Sequence, residues 1–326
     1  MKQALRWAAA GLAVAGAGTG AVLDRRLGAR RRQARGPAPD LSLAPGTHHL
    51  VATDDGGAIH VVERGSGTPI LLVHGVTLSV DVWAYQLRDL ADRHRVVAMD
   101  QRGHGSSRAG SDGYSFERLG SDVLAVLDAL DLQGAILVGH SMGGMVALQL
   151  AVEQPQALAK RVAGLVLVAT SGGPVTRLPG WDTVVTMLSP GIELGLTRSQ
   201  SKGRLLSPTG NMAYLSSRLA FGTRPAPAQV ELTRQMAKAI SPLTVAELWA
   251  SVLGFNAHDS LGIIDLPVLV VVGTRDHLTP PWNARRLMAV LPRATLLELA
   301  GCGHMVMLER RSELNDALRG LAERVT

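Results

Sequence analysis

The chain has 326 residues, 46% of them hydrophobic and 18% charged, which is enough apolar material for a large core and excludes a disordered or collagen-like polymer. Its single cysteine excludes an internal disulfide framework, and no Cys/His cluster has zinc spacing. The net charge of +6 is uneven: residues 1–35 hold eight basic side chains against Asp24 alone, and the remainder holds 25 basic against 26 acidic, so no nucleic-acid-binding body is expected.

From Trp7 to Leu23 the chain carries no charge and is built of Ala, Gly, Val and Leu with one Thr. About 17 residues is the lower limit for crossing a hydrocarbon core. Six arginines after the segment, against Lys2 and Arg6 before it, favour an anchor with a cytoplasmic body, so residues 7–23 are expected to associate with a membrane. Two alternatives stay open: a secretory signal cleaved near Ala15-Gly16-Ala17, and an extension on a soluble cytoplasmic protein. Gln33 to Pro45, with three prolines, reads as a linker.

Beyond it, short apolar runs alternate with helical patterns. Strands are expected at Ile59–Glu63, Ile70–His74, Val96–Asp100, Ala135–Gly139, Leu165–Ala169, Val268–Gly273 and Ala294–Leu299. The inner ones are nearly continuous Val/Leu/Ile, as parallel strands buried on both faces should be. Helical spacing appears at Val82–Ala91, Phe116–Leu130 (with Ser115 as N-cap), Met142–Val152 and Trp282–Leu291. This alternation predicts an α/β fold: a mostly parallel sheet flanked by helices, with ligands outside the carboxyl ends of the strands. From Gly173 to Ile264 no strand pattern occurs and helical patterns replace it, clearest at Gln229–Ile240 and Thr244–Phe255. Some 90 residues is too long for a loop and reads as an inserted helical cap. The expected divisions are therefore 1–45 (arm and linker), 46–172 with 265–326 (core) and 173–264 (cap).

Gly139-His140-Ser141-Met142-Gly143 is a G-x-S-x-G sequence between a buried strand and a helix, the context of a nucleophile elbow. A strained turn pushes the serine hydroxyl out at the sheet edge, so the positions two before and two after must lack side chains. A serine needs a base to take its proton and a carboxylate to orient that base. Asp276 follows the strand Val268–Gly273 and His304 follows Ala294–Leu299, which places both on the sheet edge that carries Ser141. Taken alone, Asp276 also suits a helix start before Pro280, and His277 is a rival base; the ordered trio favours Asp276 and His304. His140 reads as a packed elbow residue and Cys302 as a small buried one. The backbone N–H groups of Met142 and Val76 are expected to hold a developing oxyanion, with Gly75 allowing close approach after His74.

With these motifs stands Asp100-Gln101-Arg102-Gly103-His104-Gly105-Ser106-Ser107, similar to the D-x-R-G-x-G-x-S segment of the α/β-hydrolase family. The chain from Val51 onward resembles the cap-bearing members of that family, and Ser141-Met142-Gly143-Gly144-Met145 is similar to esterases of the non-haem haloperoxidase type and to 3-oxoadipate enol-lactonases. Relatives that are haloalkane dehalogenases or epoxide hydrolases carry aspartate where Ser141 stands, which argues against both activities. One departure is Val76, where relatives often carry a larger residue.

The expected function is a serine hydrolase cleaving carboxylic esters through an acyl-enzyme, with no metal or organic cofactor. Opening a lactone or cleaving a carbon–carbon bond with the same trio is the alternative. A non-catalytic binding protein on the same fold is the reading from another class, against which the trio argues. The substrate is expected to be a small ester or lactone with an apolar acyl group, lodged near His74, Gly75, Trp181, Trp249 and Phe255.

Overall fold

The computed structural model describes residues 39–175 and 211–325. The chain opens with β1 (Thr47–Ala52), β2 (Ala58–Arg64) and β3 (Thr68–Val73). A 3-10 turn at Val80–Trp83 leads into α1 (Ala84–Asp89), followed by β4 (His94–Met99), α2 (Phe116–Ala129), β5 (Ala135–His140), α3 (Met142–Glu153), α4 (Pro155–Arg161) and β6 (Val162–Val168). Between β6 and β7 lie α5 (Asn211–Leu219), α6 (Pro227–Ala239), α7 (Pro242–Gly254) and a 3-10 turn at His258–Ile263. The chain then forms β7 (Val268–Gly273), α8 (Pro281–Val290), β8 (Ala294–Leu299), α9 (Val306–Glu309) and α10 (Arg311–Val325).

The eight strands form one sheet in the order β1-β2-β4-β3-β5-β6-β7-β8. β1 and β2 pair antiparallel to their neighbours, and β4 through β8 run parallel. All six residues of β5 and of β7 are buried, because helices cover both faces. One buried cluster packs α2, α3 and α8 on one face, and a second packs α1, α9 and α10 on the other. Strand order reverses between β3 and β5, so their carboxyl ends open a crevice at the switch point, where open α/β sheets bind ligands.

The fold class is the expected one, and β7 and β8 match their expected bounds. Ser115 caps α2 by accepting the Arg118 N–H at 3.2 Å. Three elements go beyond the expectations. β1 is an edge strand with only Val51 buried, so it lacks a continuous apolar run. α4 is short, and only Leu158 is buried. α10 does carry a helical repeat, Leu314, Leu318 and Leu321, all buried. Residues 7–23 lie outside the described residues; among the described residues no helix is long and apolar enough to cross a membrane.

Candidate active site

β5 ends at His140 and α3 begins at Met142, leaving Ser141 to make the whole turn. Its backbone takes φ 52°, ψ −118°, a region that costs a non-glycine residue about 1–3 kcal/mol. The surroundings hold it there. Ser141 N–H donates to Val168 O at 2.9 Å, and Ser141 O accepts from Thr170 Oγ1 at 2.6 Å and from Gly144 N–H at 3.0 Å. The flanking glycines are steric necessities: a Cβ on Gly139 would meet Gly143 O, and one on Gly143 would meet the carbonyls of Val73 and His74. Gly75, at the end of β3, is equally constrained, since a Cβ there would lie 2.9 Å from Ser141 Cβ.

Beyond β7, Asp276 is buried and fully engaged. Its Oδ1 accepts the N–H groups of Leu278 (2.8 Å) and Thr279 (2.9 Å), and its Oδ2 accepts the Thr279 hydroxyl at 2.8 Å. The remaining bond to Oδ2 comes from His304 Nδ1 at 2.9 Å. Burial by itself would raise the Asp276 carboxyl, but the His304 ring and the Thr279 bonds outweigh it and hold the group below the usual carboxylate range. With Nδ1–H donated to Asp276, a neutral His304 ring carries its lone pair on Nε2. The His304 backbone is fastened at both ends. Its N–H donates to Ala220 O at 2.7 Å, and its carbonyl accepts from His140 Nε2 at 3.0 Å.

Ser141 and His304 line one cavity of about 270 Å³, together with Val76, Met145, Trp249 and Leu278. No hydrogen bond joins Ser141 Oγ to His304 in this state; such bonds are often long before substrate binds. Among the described residues, neither the Met142 N–H nor the Val76 N–H has a protein acceptor.

The sequence matches the alpha/beta hydrolase fold family over residues 68–311. The chain belongs to that family. It is 31% identical over 277 residues to a non-heme chloroperoxidase of Streptomyces lividans, covering 82% of this chain and 97% of that one. Among solved structures, a thermophilic esterase from Thermogutta terrifontis with malate bound matches at a TM-score of 0.71 and 25% identity, over 86% of this chain and 99% of that one. An N-acyl homoserine lactone degrading enzyme matches at 0.68 and 28%, over 83% and 99%. The protein is accordingly an enzyme of the hydrolase class.

Two expected pocket residues, Phe255 and His74, lie elsewhere than the sequence suggested. Trp249 lines the cavity, whereas Phe255 does not: it is buried in the core against Phe116, ring centroids 4.8 Å apart. His74 is also fully buried behind the site. Its Nε2 accepts the Gln101 N–H at 3.0 Å and its Nδ1 donates to Gly75 O at 2.7 Å, tying the ends of β3 and β4 together. Trp181 lies outside the described residues. His140 is more than a packed elbow residue, because it anchors the His304 carbonyl. His277 is exposed at the cavity edge, and Cys302 is buried, with burial pushing its thiol up.

The histidines behind the site are held neutral. Burial lowers His74, takes His104 down to about 3, and lowers His140 well below the ordinary imidazole range. Sequence reasoning passed over Glu309 in α9. Its two carboxylate oxygens accept Gly222 N–H (2.8 Å) and Gly303 N–H (2.9 Å), strapping the segment after α5 to the loop that carries His304. A lone glutamate in a helix gives no sequence signal of such a bond. Among the described residues no group of His, Cys, Asp and Glu could hold a metal ion.

Proposed function

We propose that this hydrolase cleaves carboxylic esters through an acyl-enzyme on Ser141. The observation that carries the reading is the Asp276–His304 pair at 2.9 Å, opening into the same small cavity as a serine held in a strained turn. Ser141 Oγ bonds to the carbonyl carbon while His304 Nε2 takes the hydroxyl proton, and Asp276 keeps Nδ1–H in place and stabilises the imidazolium. The Met142 and Val76 N–H groups, free of protein acceptors, donate to the oxyanion; each such donor contributes on the order of 3–4 kcal/mol. The bond to the alcohol then breaks, and His304 returns its proton to the departing oxygen. Water deprotonated by His304 attacks the acyl carbon and frees Ser141.

The apolar cavity wall, with Val76, Met145 and Trp249, suits a small apolar acyl group. Of the cap expected at 173–264, the described residues 211–264 contribute Trp249 and Val252 to this wall, over a core of 46–172 and 265–326, while 176–210 lie outside the described residues. A lactone in place of an open ester is the second reading, supported by the 28% identity to the lactone-degrading enzyme. Ser141→Ala is expected to lower turnover of a short-chain aryl ester by on the order of 10⁶ without altering the fold, measured by steady-state kinetics beside circular dichroism. Near-native turnover in that variant would contradict the reading.

A further inference from the structure

Two cavities share His277 as a lining residue. One is the cavity of about 270 Å³ that holds Ser141 and His304. The other, of about 510 Å³, is lined by Arg218, Phe221, Gly222, Thr223, Arg275 and the same His277. Small-molecule sites usually enclose about 300–1,000 Å³, so a substrate of ordinary size fills the first cavity and projects from it, and the second lies beside it at His277.

The two differ in chemistry. Among the described residues, no Lys, Arg, Asp or Glu lines the first. Among the described residues, the second has two arginines and no carboxylate. The Arg275 guanidinium is exposed and, among the described residues, makes no hydrogen bond or ion pair. Among the described residues, Arg218 donates only to the carbonyls of Phe221 (3.0 Å) and Thr223 (3.2 Å), so none of their carboxylates neutralises it by direct contact. The nearby Glu309 carboxylate is already engaged by the Gly222 and Gly303 N–H groups.

Position adds direction. Residues 218–223 and 275–277 flank the two contacts that hold His304, the Ala220 carbonyl and Asp276. The second cavity therefore opens on the His304 side of Ser141. In acyl transfer the imidazolium protonates the departing oxygen, so the leaving group lies on the side of the histidine. Resting on the serine-hydrolase reading above, we propose that the second cavity receives an anionic leaving group, and that the substrate joins a small apolar acyl group to an alcohol bearing a carboxylate or phosphate. Acylation forms the Ser141–acyl bond as the acyl–oxygen bond to this alcohol breaks, with His304 passing the serine proton to the departing oxygen.

The test is a panel of acetate esters sharing one acyl group: meta-carboxyphenyl, meta-phosphonophenyl and the neutral meta-carbamoylphenyl acetate. All three pass through the same acetyl-enzyme, so a leaving-group site acts on kcat/KM and leaves deacylation alone. At low ionic strength an anionic ester is expected to exceed the neutral one in kcat/KM by about tenfold, the size of one charge-assisted hydrogen bond. About 0.5 M salt should shrink that preference, because Arg275 is exposed and Arg218 only half-buried. Arg275→Gln should cut the anionic-to-neutral ratio by about fivefold or more. The carboxylate and phosphonate arms identify which anion is taken. Equal kcat/KM for all three esters in the native protein overturns the proposal, as does an unchanged ratio in Arg275→Gln. Mass spectrometry of the acetylated protein separates the two levels: turnover without acetyl on Ser141 overturns the serine reading, whereas acetyl-Ser141 formed at equal rates from all three overturns only the leaving-group site.

Discussion

The turn after β5 and the helices between β6 and β7 face the same cavity, yet they are specified in opposite ways. In the turn the backbone decides. A single added carbon would strike Gly143 O of the turn itself at Gly139, or the Val73 and His74 carbonyls at Gly143, and Ser141 is held at φ 52° by bonds to Val168 and Thr170. In the helices side chains decide, and loosely: Trp249 lines the cavity while 38% exposed, and Leu219 and Leu243 are more exposed still. Chemistry in this molecule is proposed to depend on the part that tolerates no change, and specificity on the part that tolerates much.

The contrast breaks first at Gly143. Its Cβ would overlap the Val73 and His74 carbonyls, which cannot retreat without disturbing β3. Gly143→Ala is expected to cost about 3 kcal/mol or more, roughly 5 °C or more in melting temperature, with activity lost alongside. A variant that melts like the native protein would show that the turn has slack.

Acid should unfold the core side of the comparison. His74, His104 and His140 all have depressed values in the fold, chiefly through burial. Below about pH 6.5 the unfolded chain takes up protons that the folded chain refuses, so their contribution is complete above that value and is lost as pH falls. Each histidine contributes a slope of up to about 1.4 kcal/mol per pH unit in that window. Asp276 and Asp100, also depressed, extend the loss below the ordinary carboxylate range, while Asp122 and Glu309, raised by burial, oppose it. Urea midpoints should change little from about pH 7.5 to 6.5 and then fall down to about pH 5; a flat profile would mean these histidines take up protons as readily in the fold as in the unfolded chain.

The smallest effect is expected at Trp249. Trp249→Ala should change KM for an apolar ester by a few-fold, through loss of packed surface, with little change in melting temperature. A large stability loss there would place α7 with the rigid elements.

The same contrast explains what the sequence revealed. β5, Ser141 and α3 were legible because glycine spacing and a buried strand leave few alternatives, and Asp276 and His304 followed from the ends of β7 and β8. β1 was not, since an exposed edge strand with one buried residue carries no apolar run. Phe255 was misplaced because an aromatic residue at helical spacing packs a core as readily as a pocket, and here it meets Phe116. His74 sat in the right motif but turned inward to Gln101. Glu309 and the Arg275 cavity were invisible, because both join segments far apart in the chain.

The central claim is that Ser141 is the nucleophile activated by His304 and Asp276. The most direct measurement is reaction of the full chain with a fluorophosphonate, followed by peptide mapping. The account predicts one adduct, on Ser141, abolished in Ser141→Ala and strongly slowed in His304→Ala. An unlabelled protein that still turns over esters, or an adduct at another residue, would contradict it.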